Sequence, residues 1–295
     1  MNRIFLLQIE FIDRSFKGYN PGMRVLLNDH YIPVDSIHAY ASRDGYVKEG
    51  DPLEGHEFHF FSPNHWISSA SYMEREVDGK KFAIAYLQEV DNGKVVFDWW
   101  STDHPEMAEW GSSVFDTSYD YVHFNSLQVL PDGNWLCNFR GLSSILKIDR
   151  KNATGDILWR IAGETLPEEQ RFSCEHYTML HDDNTLTLFD NGHIHTPPNT
   201  RVLRLKVNPD TGEVLGGGNM LTPGDDYFTR SCGDVQLFSG DRFVVGWGWS
   251  TTEGNNTRIL SEHNADGRVI FTLHRTAADS HSSSCNPCNR CVKYE

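Results

Sequence analysis

The chain reads as an all-β protein of the β-propeller class, built from four-stranded antiparallel blades. Three observations predict this. First, short apolar or alternating runs are separated by turn signals at Arg43-Asp44-Gly45, Val77-Asp78-Gly79, Asp91-Asn92-Gly93, Pro131-Asp132-Gly133, Asp210-Thr211-Gly212 and Ala265-Asp266-Gly267, which supply the positive φ that hairpin turns need. Second, sustained helical periodicity is absent, and the best helix candidate is a short piece at Glu168–Phe172. Third, one plan recurs. Four outer hairpins carry a turn glycine, at Gly93, Gly155, Gly212 and Gly267, about 55 to 62 residues apart, a spacing within the range of propeller repeats.

In chain order, residues 1–22 form an N-terminal extension or partial blade, an apolar run ending in the break from Lys17 to Gly22. Residues 23–275 form the propeller, with 23–50 resembling part of a further unit. The outer hairpins are Leu87–Phe97, Leu146–Trp159, Leu205–Leu215 and Leu260–Phe271. Each follows an inner strand pair. The pairs open at His56-Glu57-Phe58, His123-Phe124-Asn125, His176-Tyr177-Thr178 and Gly233-Asp234-Val235, and continue through Trp66–Ser69, Asn134–Asn138, Thr185–Phe189 and Arg242–Gly246. Four strands per unit, repeated radially, make a propeller. Six blades are expected, and five would also close the ring. Residues 276–295 are a cysteine-containing tail, expected to close a blade.

Composition narrows the function. A chain of 295 residues with 39% hydrophobic residues and eight tryptophans builds a packed core. A net charge of -15 argues against nucleic acid or an anionic membrane as partner. It leaves a small anionic substrate open, because local arginine and histidine reverse the field inside a pocket. No apolar run reaches the length of a membrane span. The segment Met1–Ile12 is interrupted by Gln8 and Glu10 and has no small-residue cleavage site, so it is not read as a signal peptide. A native N-terminus implies the cytoplasm; an export signal removed upstream implies the periplasm or secretion. Self-association is compatible with this reading.

In a propeller the first strand of each blade lines the central channel, so His56, His123 and His176 are expected to converge there. Histidine serves as nucleophile or general acid and base. Arg140, one strand behind His123, offers a planar fork for an oxyanion. Asn125, two residues after His123, adds an amide on the same strand face. The set suits transfer of an anionic sulfuryl or phosphoryl group. Tyr121, Phe124, Tyr177 and Trp247 are candidates for an aromatic channel mouth. No metal is assigned. His193-Ile194-His195 lies in a loop with Pro197-Pro198, and His56, His59 and His65 lack a carboxylate at zincin spacing. Cys285, Cys288 and Cys291 lack a fourth ligand at zinc-finger spacing. No phosphate loop or nucleophile elbow occurs, and no cofactor is called for.

The same residues carry a resemblance. His56-Glu57-Phe58, Trp100–His104, Tyr121–Leu127, Asn138-Phe139-Arg140, Ile157–Gly163 and Glu175-His176 with Leu188–Gly192 resemble the arylsulfotransferase family of the bacterial type, which uses no nucleotide sulfate donor. The resemblance runs from roughly residue 50 to 275. It implies a six-bladed propeller that moves a sulfuryl group from a phenolic sulfate ester to a phenol by a ping-pong route. It implies that His176 is the transiently sulfated histidine. His123, Asn125 and Arg140 take the sulfate-binding and acid/base positions, and His56 that of the earlier blade. Ser231 is the candidate for the family's late-blade threonine or serine. Many members are exported and carry a longer N-terminal region, and neither feature is visible here.

Overall fold

The computed structural model describes residues 5–10, 21–70, 73–77, 79–116, 118–222, 227–250 and 258–274. The chain divides into two compact units. The first comprises Met1–Gly111, Asp116–Phe124 and Asn152–Gly155, and the second Ser112–Phe115, Asn125–Lys151 and Asp156–Glu295. The first holds β1 (Phe5–Glu10), β2 (Pro21–Leu27), β3 (Pro33–Ile37), β4 (Leu53–Ser62), β5 (His65–Ala70), β6 (Met73–Val77), β7 (Lys80–Ile84), β8 (Tyr86–Asp91), β9 (Lys94–Trp100) and the short helix α1 (Glu106–Trp110). The second holds β10 (Phe124–Val129), whose first residue belongs to the first unit, then β11 (Trp135–Phe139), β12 (Ser144–Ile148) and β13 (Ile157–Ala162). It continues with β14 (His176–Leu180), β15 (Thr185–Asp190), β16 (Arg201–Val207), β17 (Val214–Leu221), β18 (Thr229–Ser231) and β19 (Asp234–Leu237). The last strands are β20 (Phe243–Gly246), β21 (Trp249–Ser250), β22 (Arg258–His263) and β23 (Val269–His274).

The fold is all-β and of the propeller class. Its blades are four-stranded antiparallel meanders ordered β4-β5-β8-β9, β10-β11-β12-β13, β14-β15-β16-β17 and β19-β20-β22-β23. The hairpin glycines behave as their sequence demands. Asn92 and Gly93 both take positive φ, 48° and 75°, the pattern of a two-residue turn whose twist matches its strands.

Two expectations need correction. Four blades are present among the described residues, not six. Residues 23–50 supply β2 and β3, which pair with each other and with β1. They join the first blade's sheet where Pro21 and Gly22 meet Glu54 and Leu53, making it seven-stranded instead of founding another blade. Glu168–Phe172 is not a helix but a turn, closed by the Gln170 and Arg171 amides on the Pro167 carbonyl at 2.9 and 2.8 Å; Pro167 fixes one turn, and the chain then runs extended toward β14. The tail with Cys285, Cys288 and Cys291 lies outside the described residues.

Burial follows strand position. Every residue of β11 and β12 is buried, while the outer β17 alternates between half-buried and exposed. Apolar side chains from consecutive blades of the second unit, including Leu136, Ile145, Ile161, Leu186 and Leu203, share one cluster, each buried Leu or Ile contributing roughly 1.5–3 kcal/mol. An outer-strand tryptophan recurs as a clamp. In the first unit the Trp99 indole donates to the Gly155 carbonyl at 3.1 Å. In the second, Trp159 donates to Pro209 at 3.0 Å and lies so close to Gly212 that a Cβ there would meet the ring at 2.8 Å.

Candidate active site

The sequence-predicted residues fall into two groups. In the first unit, His56 and His123 meet edge to face, with ring centroids 5.5 Å apart. Each is tethered by a carboxylate that sequence reasoning did not single out. Glu54 holds the His56 Nδ1 and accepts its backbone N–H at 2.8 Å. Asp120 holds the His123 Nδ1 and accepts its N–H at 3.2 Å. A carboxylate on Nδ1 fixes the tautomer and directs proton exchange through Nε2. Burial would raise the Glu54 carboxyl, but the His56 charge and hydrogen bonds hold it below its ordinary value. The available signal was an acid two or three residues upstream of each histidine. His123 has φ 40° and stands just before β10, so the two-residue spacing to Asn125 does not put both on one strand face.

In the second unit, His176 opens β14 opposite Phe189, and the ladder is bulged between His176 and Met179. Tyr177 takes φ 46° there. Bulges near active sites re-aim a side chain, and this one accompanies a buried imidazole that is 8% exposed. The His176 Nδ1 lies 2.6 Å from the Asn191 Oδ1. The Asn191 amide nitrogen donates to the Thr229 carbonyl at 3.0 Å and the Cys232 carbonyl at 3.1 Å. That orients its oxygen toward the ring, so Nδ1 carries the proton. The Nε2 lone pair then accepts the Cys232 N–H at 3.1 Å.

Arg140 starts a 3-10 turn directly after β11. The residue is 8% exposed; its guanidinium stacks over Phe115 at 4.8 Å and donates to the Arg230 carbonyl at 3.2 Å. It has no carboxylate partner among the described residues, and its Nε is unpaired. A buried cation with no carboxylate partner among the described residues, in a chain of net charge -15, is electrostatically suited to meet an anion. The Phe115 segment is held in place by Glu164, which accepts from the Ser112 hydroxyl at 2.6 Å and the Ser113 N–H at 2.9 Å.

Asn125 is buried, and its amide goes to the backbone. Its Nδ2 and that of Asn138 both donate to the Glu175 carbonyl at 2.9 Å, anchoring the residue before His176. Ser231 sits between Arg230 and Cys232, which bond Arg140 and His176. The hydroxyl that closes the Asn191 network is instead that of Thr229, 3.2 Å from the Asn191 Nδ2. The segment Thr229–Cys232 is thus the hub of this half, and it contributes mostly backbone groups. The proposed aromatic mouth resolves differently. Tyr121, Phe124 and Trp247 are buried core residues, while Tyr177 is half-buried. His193 and His195 diverge, one toward the Arg230 carbonyl at 2.8 Å and the other toward Asp190 at 3.0 Å.

Glu175 is fully buried, and among the described residues no other residue hydrogen-bonds either carboxyl oxygen. Burial raises its carboxyl well above the ordinary range; neighbouring Asp190 and Glu164 add to this, while its own N–H and Arg140 oppose it. A carboxyl raised in this way is a weak counter-charge for Arg140. Between the ordinary value of the unfolded chain and the raised folded value, the folded state holds the extra proton. Stability is therefore full below this window and falls through it by up to about 1.4 kcal/mol per pH unit. Glu175→Gln, which keeps the group neutral, is expected to remove that slope in denaturant midpoints measured against pH. Identical slopes for both proteins would show an ionised carboxylate instead.

Antiparallel blades carrying oriented histidines, with a counter-ion-free arginine on the same segment as one of them, define a propeller equipped to handle an oxyanionic group. The chain matches the family described as Arylsulfotransferase (ASST) over residues 76–276, and it belongs to that family. Membership supports sulfotransferase activity in general. No curated protein matches the chain. Among solved structures, a protein of unknown function from Bacteroides caccae is 12% identical, with 87% of this chain and 77% of that one covered at a TM-score of 0.48. A catalytically inactive virginiamycin B lyase from Staphylococcus aureus, with quinupristin, is 12% identical over 93% and 90% of the two chains at 0.39. A luciferin-regenerating enzyme is 9% identical over 93% and 81% at 0.42.

Proposed function

We propose that the protein is an aryl sulfotransferase that moves a sulfuryl group from a phenolic sulfate ester to a phenol, in two half-reactions, through a sulfohistidine at His176. The observation that carries this reading is the pairing of His176 and Arg140 on one short segment. Asn191 holds the His176 Nδ1 proton, so Nε2 has the attacking lone pair. Arg140, bonded two residues away on Arg230, is the uncompensated cation for the sulfate oxygens. In the first half-reaction Nε2 attacks sulfur, the S–O bond to the aryl group breaks, and the phenol leaves. The Cys232 N–H passes from Nε2 to an oxygen of the transferred group. On this reading His123 and His56 supply the proton that goes to the leaving phenol, and their carboxylate-held Nδ1 atoms suit them to exchange through Nε2. No nucleotide and no metal enters these steps.

A second reading, a propeller that binds a sulfated or phenolic ligand without turning it over, is favoured by one observation. The Cys232 N–H already caps the His176 Nε2. The two separate in a simple assay. With 4-nitrophenyl sulfate, a phenol and no nucleotide, the sulfotransferase reading expects acceptor-dependent release of 4-nitrophenol, and a stoichiometric burst without acceptor. Ligand-induced thermal stabilisation with neither release nor burst would favour the binding module.

A further inference from the structure

His193 is a histidine that the family positions do not use, yet it hangs on the same backbone segment as the proposed chemistry. Its Nε2 lies 2.8 Å from the Arg230 carbonyl, the acceptor that also takes the Arg140 Nη2 at 3.2 Å. Two residues on, the Cys232 N–H contacts the His176 Nε2 at 3.1 Å. Two residues of extended chain span at most about 7 Å, so the nucleophile, the anion receptor and His193 are gathered on one short stretch. The carbonyl fixes the His193 tautomer, because it can only accept. Nε2 must carry the proton, and Nδ1 is left as a basic lone pair without a partner among the described residues.

The ring is held there. The Phe228 ring stands edge-on to it at 5.0 Å. At the root of the loop, Gly192 at φ 71° leaves no room for a Cβ, which would fall 1.7 Å from the Asn199 carbonyl oxygen. Asp190 accepts the Gly192 N–H at 2.8 Å and binds Arg201 and His195 on its other oxygen. His193 itself is half-buried, as are Phe228 and Phe115. Phe115 brings partly exposed aromatic surface to Arg140 and Phe228 brings it to His193, where the sequence alone offered Tyr121, Phe124, Tyr177 and Trp247. Burial, assisted by the Arg140 charge, lowers the His193 value against the opposing Arg230 hydrogen bond. The imidazole is therefore neutral and able to accept a proton at neutral pH.

We propose that His193 is a further catalytic residue, the base that takes the proton of the incoming phenol at Nδ1. The inference rests on the sulfohistidine reading above. In the second half-reaction the phenolic oxygen attacks sulfur and a new O–S bond forms. The bond from sulfur to the His176 Nε2 breaks, its electron pair returning to that imidazole. The phenolic proton passes to the His193 Nδ1 and then to solvent. The Arg230 carbonyl, already bonded to Nε2–H, stabilises the imidazolium that forms.

The test is His193→Gln, with the donor half-reaction followed separately from transfer. The burst of 4-nitrophenol and the sulfated protein should form as in the wild type, which also reports a folded site. Transfer to an ordinary phenol should fall by about 10²-fold. Transfer to an acidic polyfluorinated phenol, already ionised at the assay pH, should stay within a few-fold of wild type. Equal loss for both acceptors, no loss for either, or loss of the burst would overturn the role of His193 alone. Failure of the wild-type protein to form any covalent adduct would overturn this role together with the reading beneath it.

Discussion

Replacing His176 by asparagine is expected to reduce sulfuryl transfer by at least about 10⁴-fold and to eliminate the 4-nitrophenol burst, since the proposed covalent step runs through its Nε2. The loss is chemical, not only structural. Asparagine retains a polar head at the start of β14 but offers no basic nitrogen to sulfur. A stability cost accompanies it. The Asn191 Oδ1 and the Cys232 N–H both point at the imidazole, and leaving one of these buried groups unpaired costs about 1–3 kcal/mol. Thermal melts and burst amplitudes together separate the two effects. A folded variant that keeps the burst would place the nucleophile elsewhere.

The second large effect concerns Arg140. Arg140→Met is expected to lower kcat/KM for an aryl sulfate by about 10²–10³-fold, the usual loss when one donor to a developing oxyanion is removed. Arg140→Lys should recover little of it, because a point charge lacks the planar fork that spans two sulfate oxygens. The fold should tolerate the change. Among the described residues Arg140 makes no ion pair that would be orphaned, and its removal takes away an influence that lowers the Glu175 carboxyl. Steady-state kinetics with 4-nitrophenyl sulfate, alongside a thermal melt, measures both. Wild-type kinetics in a folded Arg140→Met protein would remove the guanidinium from the sulfate site.

What the sequence made legible was local. Asp-Gly and Asn-Gly turns fix hairpins through φ at one or two residues, and Gly93, Gly155, Gly212 and Gly267 all adopt the positive φ their repeat phase requires. His176 stood out because its position recurs from blade to blade. The non-local pairings were harder. The runs in residues 23–50 alternate as a blade's do, but whether they found a blade or extend one is decided by the contact of Pro21 and Gly22 with β4. Aromatic residues near the histidines gave no means of telling core from pocket, since both reward apolar area. Tyr121, Phe124 and Trp247 went to the core.

The role of Thr229–Cys232 was invisible for a different reason. It works through the carbonyls of Thr229, Arg230 and Cys232 and the amide of Cys232, groups that nearly every residue carries and no motif encodes. Only the fold shows Asn191, Arg140, His193 and His176 meeting that backbone. Glu175 precedes His176 in the sequence, and nothing in that position announces a role. Its carboxyl is raised by burial in a site where two amides hold its carbonyl and, among the described residues, no other residue holds its carboxyl.

The most direct measurement is the intact mass of the protein after brief exposure to an aryl sulfate without acceptor, followed by mapping of the modified peptide under conditions that preserve phosphoramidate-like N–S bonds. The expected result is a single added SO3 group on His176, which disappears when a phenol is supplied. Product formation with no adduct, or an adduct on another residue, would contradict a sulfohistidine at His176.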